Sequence, residues 1–178
     1  MGLIIRSSAI HAAGCHTTAF ISMDQRILEY DGPRLSKDEA DERYEGRAIT
    51  YLFGVGSGDT VIDGHSMAMF LNHSCDPNCE TSESRGRIWI SSIRDIEPGE
   101  ELTYDYNLYD GGEDEGICNC GAALCRGSMF SPVEIARREK VRIAAEAKQA
   151  RSELRKQVEA EAAPEAGFIS DNEAASSF

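Results

Sequence analysis

The chain has 178 residues and a formal net charge of −13, with 41% hydrophobic and 28% charged residues. That length accommodates one domain with its own core, and no apolar run reaches the roughly 20 residues needed to span a bilayer, so no membrane association is expected. Residues 1–130 hold 10 Lys and Arg against 22 Asp and Glu; such a surface repels a phosphate backbone and attracts basic polypeptides, which disfavours direct nucleic-acid binding.

The opening "MGLIIRSSAI" has neither the basic start nor the hydrophobic region of a signal peptide. The protein is therefore expected to be soluble and intracellular: cytoplasmic in a bacterium, in cytoplasm or nucleus otherwise. Short runs rich in β-branched or aromatic residues follow in order: "TAFIS", "RILEY", "AITYLFG", "TVID", "RIWISSI" and "ELTYDYN". Each reads as a strand, so the front of the chain is mainly β. Between them "SKDEADERY" is a helix candidate, because Ser36 followed by Glu39 makes a capping box. Pro98 and Gly99 mark a turn into a strand whose alternation places Leu102, Tyr104 and Tyr106 on one face and Thr103 and Asp105 on the other.

After Gly127 the composition changes to Ala, Arg, Glu and Lys, with Ser131 as N-cap and Pro132 at the first helical position. A long helix is expected over 131–161. Its residues Val133, Ile135, Val141, Ile143, Leu154 and Val158 form no continuous stripe, which predicts a largely solvated helix that frays beyond its first turns. The segment 162–178 reads as a disordered tail.

Six cysteines without an export signal point to metal ligation or free thiols before disulfides. "CNCGAALCRG" gathers Cys118, Cys120 and Cys125 in one loop, with Gly121 letting the chain fold back. Structural zinc requires four ligands, and the fourth can come from Cys15, Cys75, Cys79 or a histidine. A site closed by four protein ligands would be architectural, with no open position for catalysis. "FLNHSCDPNCE", residues 70–80, places an amide, an imidazole and two thiols directly after an apolar stretch.

Taken together, "RSSAIHAAGCHTTAFI", "RILEYDGPRLSKDEADERY", "YLFG", "FLNHSCDPNCE", "GEELTYDYN" and "CNCGAALCRG" resemble, in order and spacing, the SET-domain protein lysine methyltransferases with their post-SET cysteine loop. The resemblance implies a SET fold of small twisted sheets with a C-terminal pseudoknot over 1–110, a post-SET zinc loop over 111–130, and then the helix and tail. It implies that Ala13, Gly14, Tyr51, Asn72 and His73 contact S-adenosylmethionine. It makes Cys75 the fourth ligand of a structural zinc beside Cys118, Cys120 and Cys125. Tyr30, Tyr51, Tyr104 and Tyr106 would line the channel for the substrate lysine, with Tyr106 the foremost catalytic candidate. A phenol at Tyr104 favours mono- or dimethyl product, Asp105 and Asn78 hold crossing segments together, and Cys15 and Cys79 are packing or surface thiols.

The implied function is S-adenosylmethionine-dependent methylation of lysine on a basic protein, histone-like or other. The chain departs from the family's pattern at Ala12, where a glycine is usual, at Met69, where an arginine is usual, and at His16, where an aromatic is usual. These departures motivate an alternative, a catalytically silent SET-like module that binds basic peptides. A nucleic-acid methyltransferase fits poorly with the acidity and with the lack of a Rossmann glycine fingerprint. The sequence is silent on oligomeric state.

Overall fold

The computed structural model describes residues 2–47, 49–56, 59–112 and 114–161; the tail expected over 162–178 lies outside the described residues. Contacts divide the chain into two units, Met1–Glu134 and Ile135–Phe178. In chain order the first unit contains β1 (Leu3–Ser7), β2 (Ala13–Thr17), β3 (Arg26–Tyr30), β4 (Arg34–Ser36), α1 (Lys37–Tyr44), β5 (Leu52–Val55), β6 (Thr60–Asp63), β7 (Asn72–His73), β8 (Cys79–Ser84), β9 (Arg87–Ser92) and β10 (Thr103–Tyr104). These strands build three small sheets: a β1–β2 hairpin, a five-stranded sheet in the order β3-β9-β8-β10-β7, and a three-stranded sheet in the order β4-β6-β5. The architecture is mainly β, as expected.

Alternation fixes which residues enter the core. In β9, Ile88 and Ile90 are buried while Arg87, Trp89 and Ser91 face outward, the period of two that a half-solvated strand requires. Outside, the guanidinium groups of Arg26 and Arg87 lie 4.4 and 4.6 Å from the Trp89 ring centroid. Inside, Ile88 and Ile90 join Ile21, Leu71, Ile96 and Leu102 in one cluster that also takes in Cys15 and Cys79. Those two cysteines are packing thiols, and burial pushes both up, to about 11 for Cys15 and about 12 for Cys79.

The arrangement that local signals do not reveal is a threading. Strand β10 lies between β7 and β8 and runs parallel to both, although β7 and β8 are close neighbours in sequence and β10 comes later. Asn78 secures the crossing: its Nδ2 donates to Glu101 O at 2.8 Å and its Oδ1 accepts from Thr103 N at 2.9 Å. Being 3% exposed, Asn78 makes these bonds away from water, where losing them would leave buried amides unpaired.

Several elements differ from their expected form. Residues 18–22 are not a strand and contribute only an isolated bridge, Ile21 to Ile96. The strand expected over 101–107 shortens to Thr103–Tyr104, because only two residues share a ladder with the brief β7. The strand expected over 48–54 shifts to Leu52–Val55. Conversely, "CETSES" forms β8, a polar strand held by its long pairing with β9.

Helix α1 starts as expected, with the Ser36 hydroxyl accepting from Glu39 N and the Glu39 carboxylate accepting from Ser36 N at 2.8 Å. The second helix, α2 (Pro132–Glu161), runs unbroken for 30 residues instead of fraying after its first turns. Val141 and Leu154 are exposed on it, so its support comes from pairs one turn apart: Arg142 with Glu139 and Glu146, each at 2.7 Å, and Arg155 with Glu159 at 2.7 Å. No helix among the described residues is long and apolar enough to cross a membrane.

Asp63 at the end of β6 fastens α1. It accepts from Tyr44 Oη at 2.5 Å and from Arg43 at 2.9 Å and is 3% exposed. Burial disfavours its charge, but the bonds from Tyr44 and Arg43 and the nearby His65 outweigh that and hold the carboxyl below its ordinary value. A depressed pKa means that the stabilisation is present above the unfolded aspartate value of about 3.9 and is lost as pH falls through the folded value. Asp63→Asn should therefore cost about 1.5 kcal/mol at pH 7 in urea unfolding, the low end for a charge-assisted bond because Arg43 is half exposed. The gap between wild type and variant should close in strong acid.

Candidate active site

The threaded segment 101–106 brings the sequence-predicted residues together. Asn72 in β7 is 8% exposed, and its side-chain nitrogen donates to Glu101 Oε1 at 2.6 Å and to Ala13 O at 3.1 Å. Glu101 also accepts from the Ser8 hydroxyl, 2.9 Å from both carboxylate oxygens, and stands 3.9 Å from His16 Nε2. A Cβ on Gly14 would overlap this carboxylate, so a larger residue there would push the Glu101 side chain aside. Glu101 was not among the residues singled out from the sequence. It lies two positions after Gly99 in "GEEL", and its role becomes visible only when the loop 8–14 folds against it.

Ala12 adopts φ +38, in the left-handed region where the sequence pattern calls for glycine. An alanine is strained in that conformation.

Three of the four tyrosines, Tyr30, Tyr104 and Tyr106, form a run of ring contacts with Phe53. Tyr30 and Phe53 have centroids 5.1 Å apart, Phe53 and Tyr104 6.2 Å, and Tyr104 and Tyr106 4.8 Å. Tyr106 also meets the edge of His73 at 5.3 Å. Phe53 is a member the sequence reading missed, although the alternation of Tyr51, Leu52 and Phe53 places it on the face of Tyr51. Tyr51 reaches the cluster through its carbonyl, which accepts from Tyr30 Oη at 2.8 Å. Tyr106 Oη donates to Leu71 O at 2.9 Å. Burial raises all three inner phenols: Tyr106 to about 12, and Tyr30 and Tyr104 further. At neutral pH each therefore carries its proton and none can serve as a base.

His73 is 3% exposed, with both ring nitrogens engaged. Tyr106 N donates to Nδ1 at 3.1 Å, which makes Nδ1 the acceptor and puts the proton on Nε2, 3.4 Å from Cys75 Sγ. Burial lowers the ring's pKa to about 4; Asp105 opposes this and Arg126 reinforces it. The 3.5 Å approach of Asp105 Oδ1 to Nδ1 is accordingly not an ion pair, since the ring is neutral and both atoms are acceptors. Asp105 is instead gripped by Arg126 through two bonds of 2.8 and 2.5 Å.

Cys75, Cys118, Cys120 and Cys125 form one cluster, their sulfurs all within 4.8 Å of one another. A tetrahedron with metal–sulfur bonds of about 2.3 Å has edges of about 3.8 Å. Here Cys75 lies 3.7 Å from Cys118 and 3.9 Å from Cys125, and Cys118 lies 3.6 Å from Cys125. Four thiolates around a divalent ion leave surplus negative charge, and donors to absorb it are present. Cys75 N faces Cys120 Sγ, Cys120 N faces Cys118 Sγ and Gly127 N faces Cys125 Sγ, each at 3.4 Å, while the Arg126 guanidinium acts on Cys75 and Cys118. The donor set fits zinc, and Gly121 at φ +73 makes the fold-back that closes it. Backbone pairing of Cys118 N with Gly127 O at 3.2 Å and Met129 N with Gly116 O at 2.7 Å ties the loop's ends.

Comparison with known proteins gives a consistent result. The SET domain family profile matches residues 12–107. The chain is 40% identical over 137 residues to "Histone-lysine N-methyltransferase, H3 lysine-4 specific" of Emericella nidulans, covering 68% of this chain and 11% of that protein. The protein of the same name in Saccharomyces cerevisiae is 40% identical over 136 residues, covering 68% and 12%. "Histone-lysine N-methyltransferase set-2" of Caenorhabditis elegans is 42% identical over 135 residues, covering 68% and 9%. The chain thus spans about a tenth of the length of these relatives.

Two measurements test this geometry. Ala12→Gly should raise stability by about 1 kcal/mol by releasing the left-handed strain, read as a higher thermal midpoint. Purified protein should carry one zinc per chain by elemental analysis, Cys120→Ala should lose it on gel filtration, and chelation should lower the thermal midpoint of the wild type.

Proposed function

Because the chain belongs to the SET-domain family, we propose that it is an S-adenosylmethionine-dependent protein-lysine N-methyltransferase acting on a basic protein, with histone tails the leading substrate class. The observation that carries this reading is the convergence of Tyr30, Phe53, Tyr104 and Tyr106 on one buried cluster adjoining His73.

The residues present suit the cofactor in kind. Glu101 is an anion held by the neutral donors Ser8 and Asn72 beside the loop that carries Ala13 and Gly14, and a cationic ligand would complement it. Asn72 and Glu101 would hold the cofactor side together, with Ala13, Gly14, Tyr51 and the His73 backbone as further contacts. When bound, S-adenosylmethionine supplies a methyl group on positively charged sulfur, open to in-line attack by a neutral amine.

The chain's own contribution is to bind the lysine, strip its water and aim it. An aromatic surround disfavours the ammonium, so lysine gives up its proton more readily without a dedicated base. Tyr106 and Tyr30 spend their phenolic protons on the carbonyls of Leu71 and Tyr51, which leaves the phenol oxygens free to accept from the amine. An amine whose N–H bonds are so held presents its lone pair in one direction, and that positioning is the main source of rate. The neighbouring Tyr104 phenol takes up volume that a methylated amine needs. Cys75, Cys118, Cys120 and Cys125 would hold a structural zinc, which would fix the loop that carries Arg126.

Incubation with labelled cofactor and mixed basic proteins should transfer label to lysine, faster at low salt because the acidic surface steers basic chains. Tyr106→Phe should lower kcat about 100-fold or more while the protein stays folded. Tyr104→Phe should shift the product distribution toward higher methylation by mass spectrometry. Binding of a Lys-rich peptide with no binding of S-adenosylmethionine in calorimetry would favour the alternative, a silent peptide-binding module, which the strained Ala12 motivates.

A further inference from the structure

We propose that His73 is a strut joining the cysteine cluster to Tyr106, so that metal occupancy at the cysteines sets the position of the phenol; its ring is a positioning element and not a cofactor contact. This deepens the reading of Tyr106 as the phenol at the reacting centre and rests on it.

Tyr106 is held at both ends by residues 71–73. Its hydroxyl donates to Leu71 O at 2.9 Å, and its amide donates to His73 Nδ1 at 3.1 Å. The opposite nitrogen of the same ring lies 3.4 Å from Cys75 Sγ. An imidazole that accepts at Nδ1 must donate at Nε2, and a thiolate on a metal is the acceptor such a donor suits. The ring has no slack: it is 3% exposed and packs against Tyr106 in a T-shaped contact with centroids 5.3 Å apart.

A second link runs in parallel. Arg126, next to Cys125 in sequence, grips Asp105, next to Tyr106, through bonds of 2.8 and 2.5 Å. Two of the four cysteines are thus each joined by one short link to the phenol or its neighbour. Closing the cysteines around a metal fixes Cys75 and Cys125 relative to each other, and both links then constrain residues 105–106. Coupling of this kind is reciprocal, so disturbing the Tyr106 end must also be felt at the metal.

Two conservative variants separate the ends of the strut. The Asn amide hangs at the same remove from Cα as Nδ1, so His73→Asn keeps an acceptor for the Tyr106 amide and gives up the donor to Cys75. The Gln amide hangs at the remove of Nε2, so His73→Gln does the reverse. In the cobalt-substituted full chain, His73→Asn should move the thiolate-to-metal charge-transfer band and weaken metal retention against a chelator about tenfold, the scale for lost outer partners. His73→Gln should leave the band in place, shift the Tyr106 amide resonance, and lower kcat with little change in KM. In the wild type, where no variant can misfold, chelation alone should shift the Tyr106 amide resonance, and long-range nitrogen–proton spectra should show the Nε2–H tautomer.

An unchanged cobalt band and chelator midpoint in both variants would overturn the strut, as would a Tyr106 amide indifferent to chelation. Should the band and the amide respond as stated while no lysine is methylated by the wild type, the enzyme reading fails and the strut stands.

Discussion

Everything in the first unit depends on residues 101–106 passing between β7 and β8. One asparagine, Asn78, just before β8, ties the threaded segment at two points by donating to Glu101 O at 2.8 Å and accepting from Thr103 N at 2.9 Å. The crossing then does three things in successive residues. Glu101 faces the loop 8–14, Tyr104 and Tyr106 enter the aromatic cluster, and Asp105 receives Arg126 from the cysteine loop. A single short segment therefore sets the distances among the loop 8–14, the phenols and the cysteine cluster. Loss of the Asn78 amide would loosen all three together, because two buried backbone groups would lose their partners at once.

The phenol cluster illustrates how packing and chemistry share the same contacts. Each ring pair contributes about 0.5–1.5 kcal/mol beyond simple burial, so the cluster holds itself together as a core would. The same burial keeps the phenols protonated. The protons of Tyr30 and Tyr106 go to the carbonyls of Tyr51 and Leu71 and their oxygens remain acceptors, an arrangement that suits aiming an amine and is useless for removing its proton. On the proposed reading, acidity at the surface and a water-poor interior are complementary: one would gather basic chains, and the other would disfavour the ammonium form of a bound lysine.

Much of the site was legible because its residues sit in compact motifs. The capping box at Ser36 and Glu39, the N-cap at Ser131 and the fold-back at Gly121 are local, and each is set by the residue and its immediate neighbours. The fourth cysteine could not be chosen from spacing alone, since Cys15, Cys75 and Cys79 were equally near in kind. Burial decides it: Cys15 and Cys79 are fully packed in the core, and only Cys75 meets the other three. Glu101 and Phe53 stayed hidden for a different reason. A carboxylate in "GEEL" and a phenylalanine in "YLFG" look like a solvated charge and an ordinary core residue until segments 23 to 93 positions away close on them. Strand β8 was missed because its sequence is polar, and β-propensity reports packing on a half-buried face more than any backbone preference.

The claim at the centre of this account is that a lysine is received among these rings with the methyl donor within reach. The most direct measurement is a crystal structure of the zinc-loaded protein with S-adenosylhomocysteine and a lysine-containing histone peptide. The account predicts the lysine side chain between Tyr30, Tyr104 and Tyr106, its nitrogen bonded to phenol oxygen and pointing at the sulfur, with the nucleoside beside Asn72. A peptide bound elsewhere, or a lysine separated from the sulfur by the unbroken ring cluster, would contradict it.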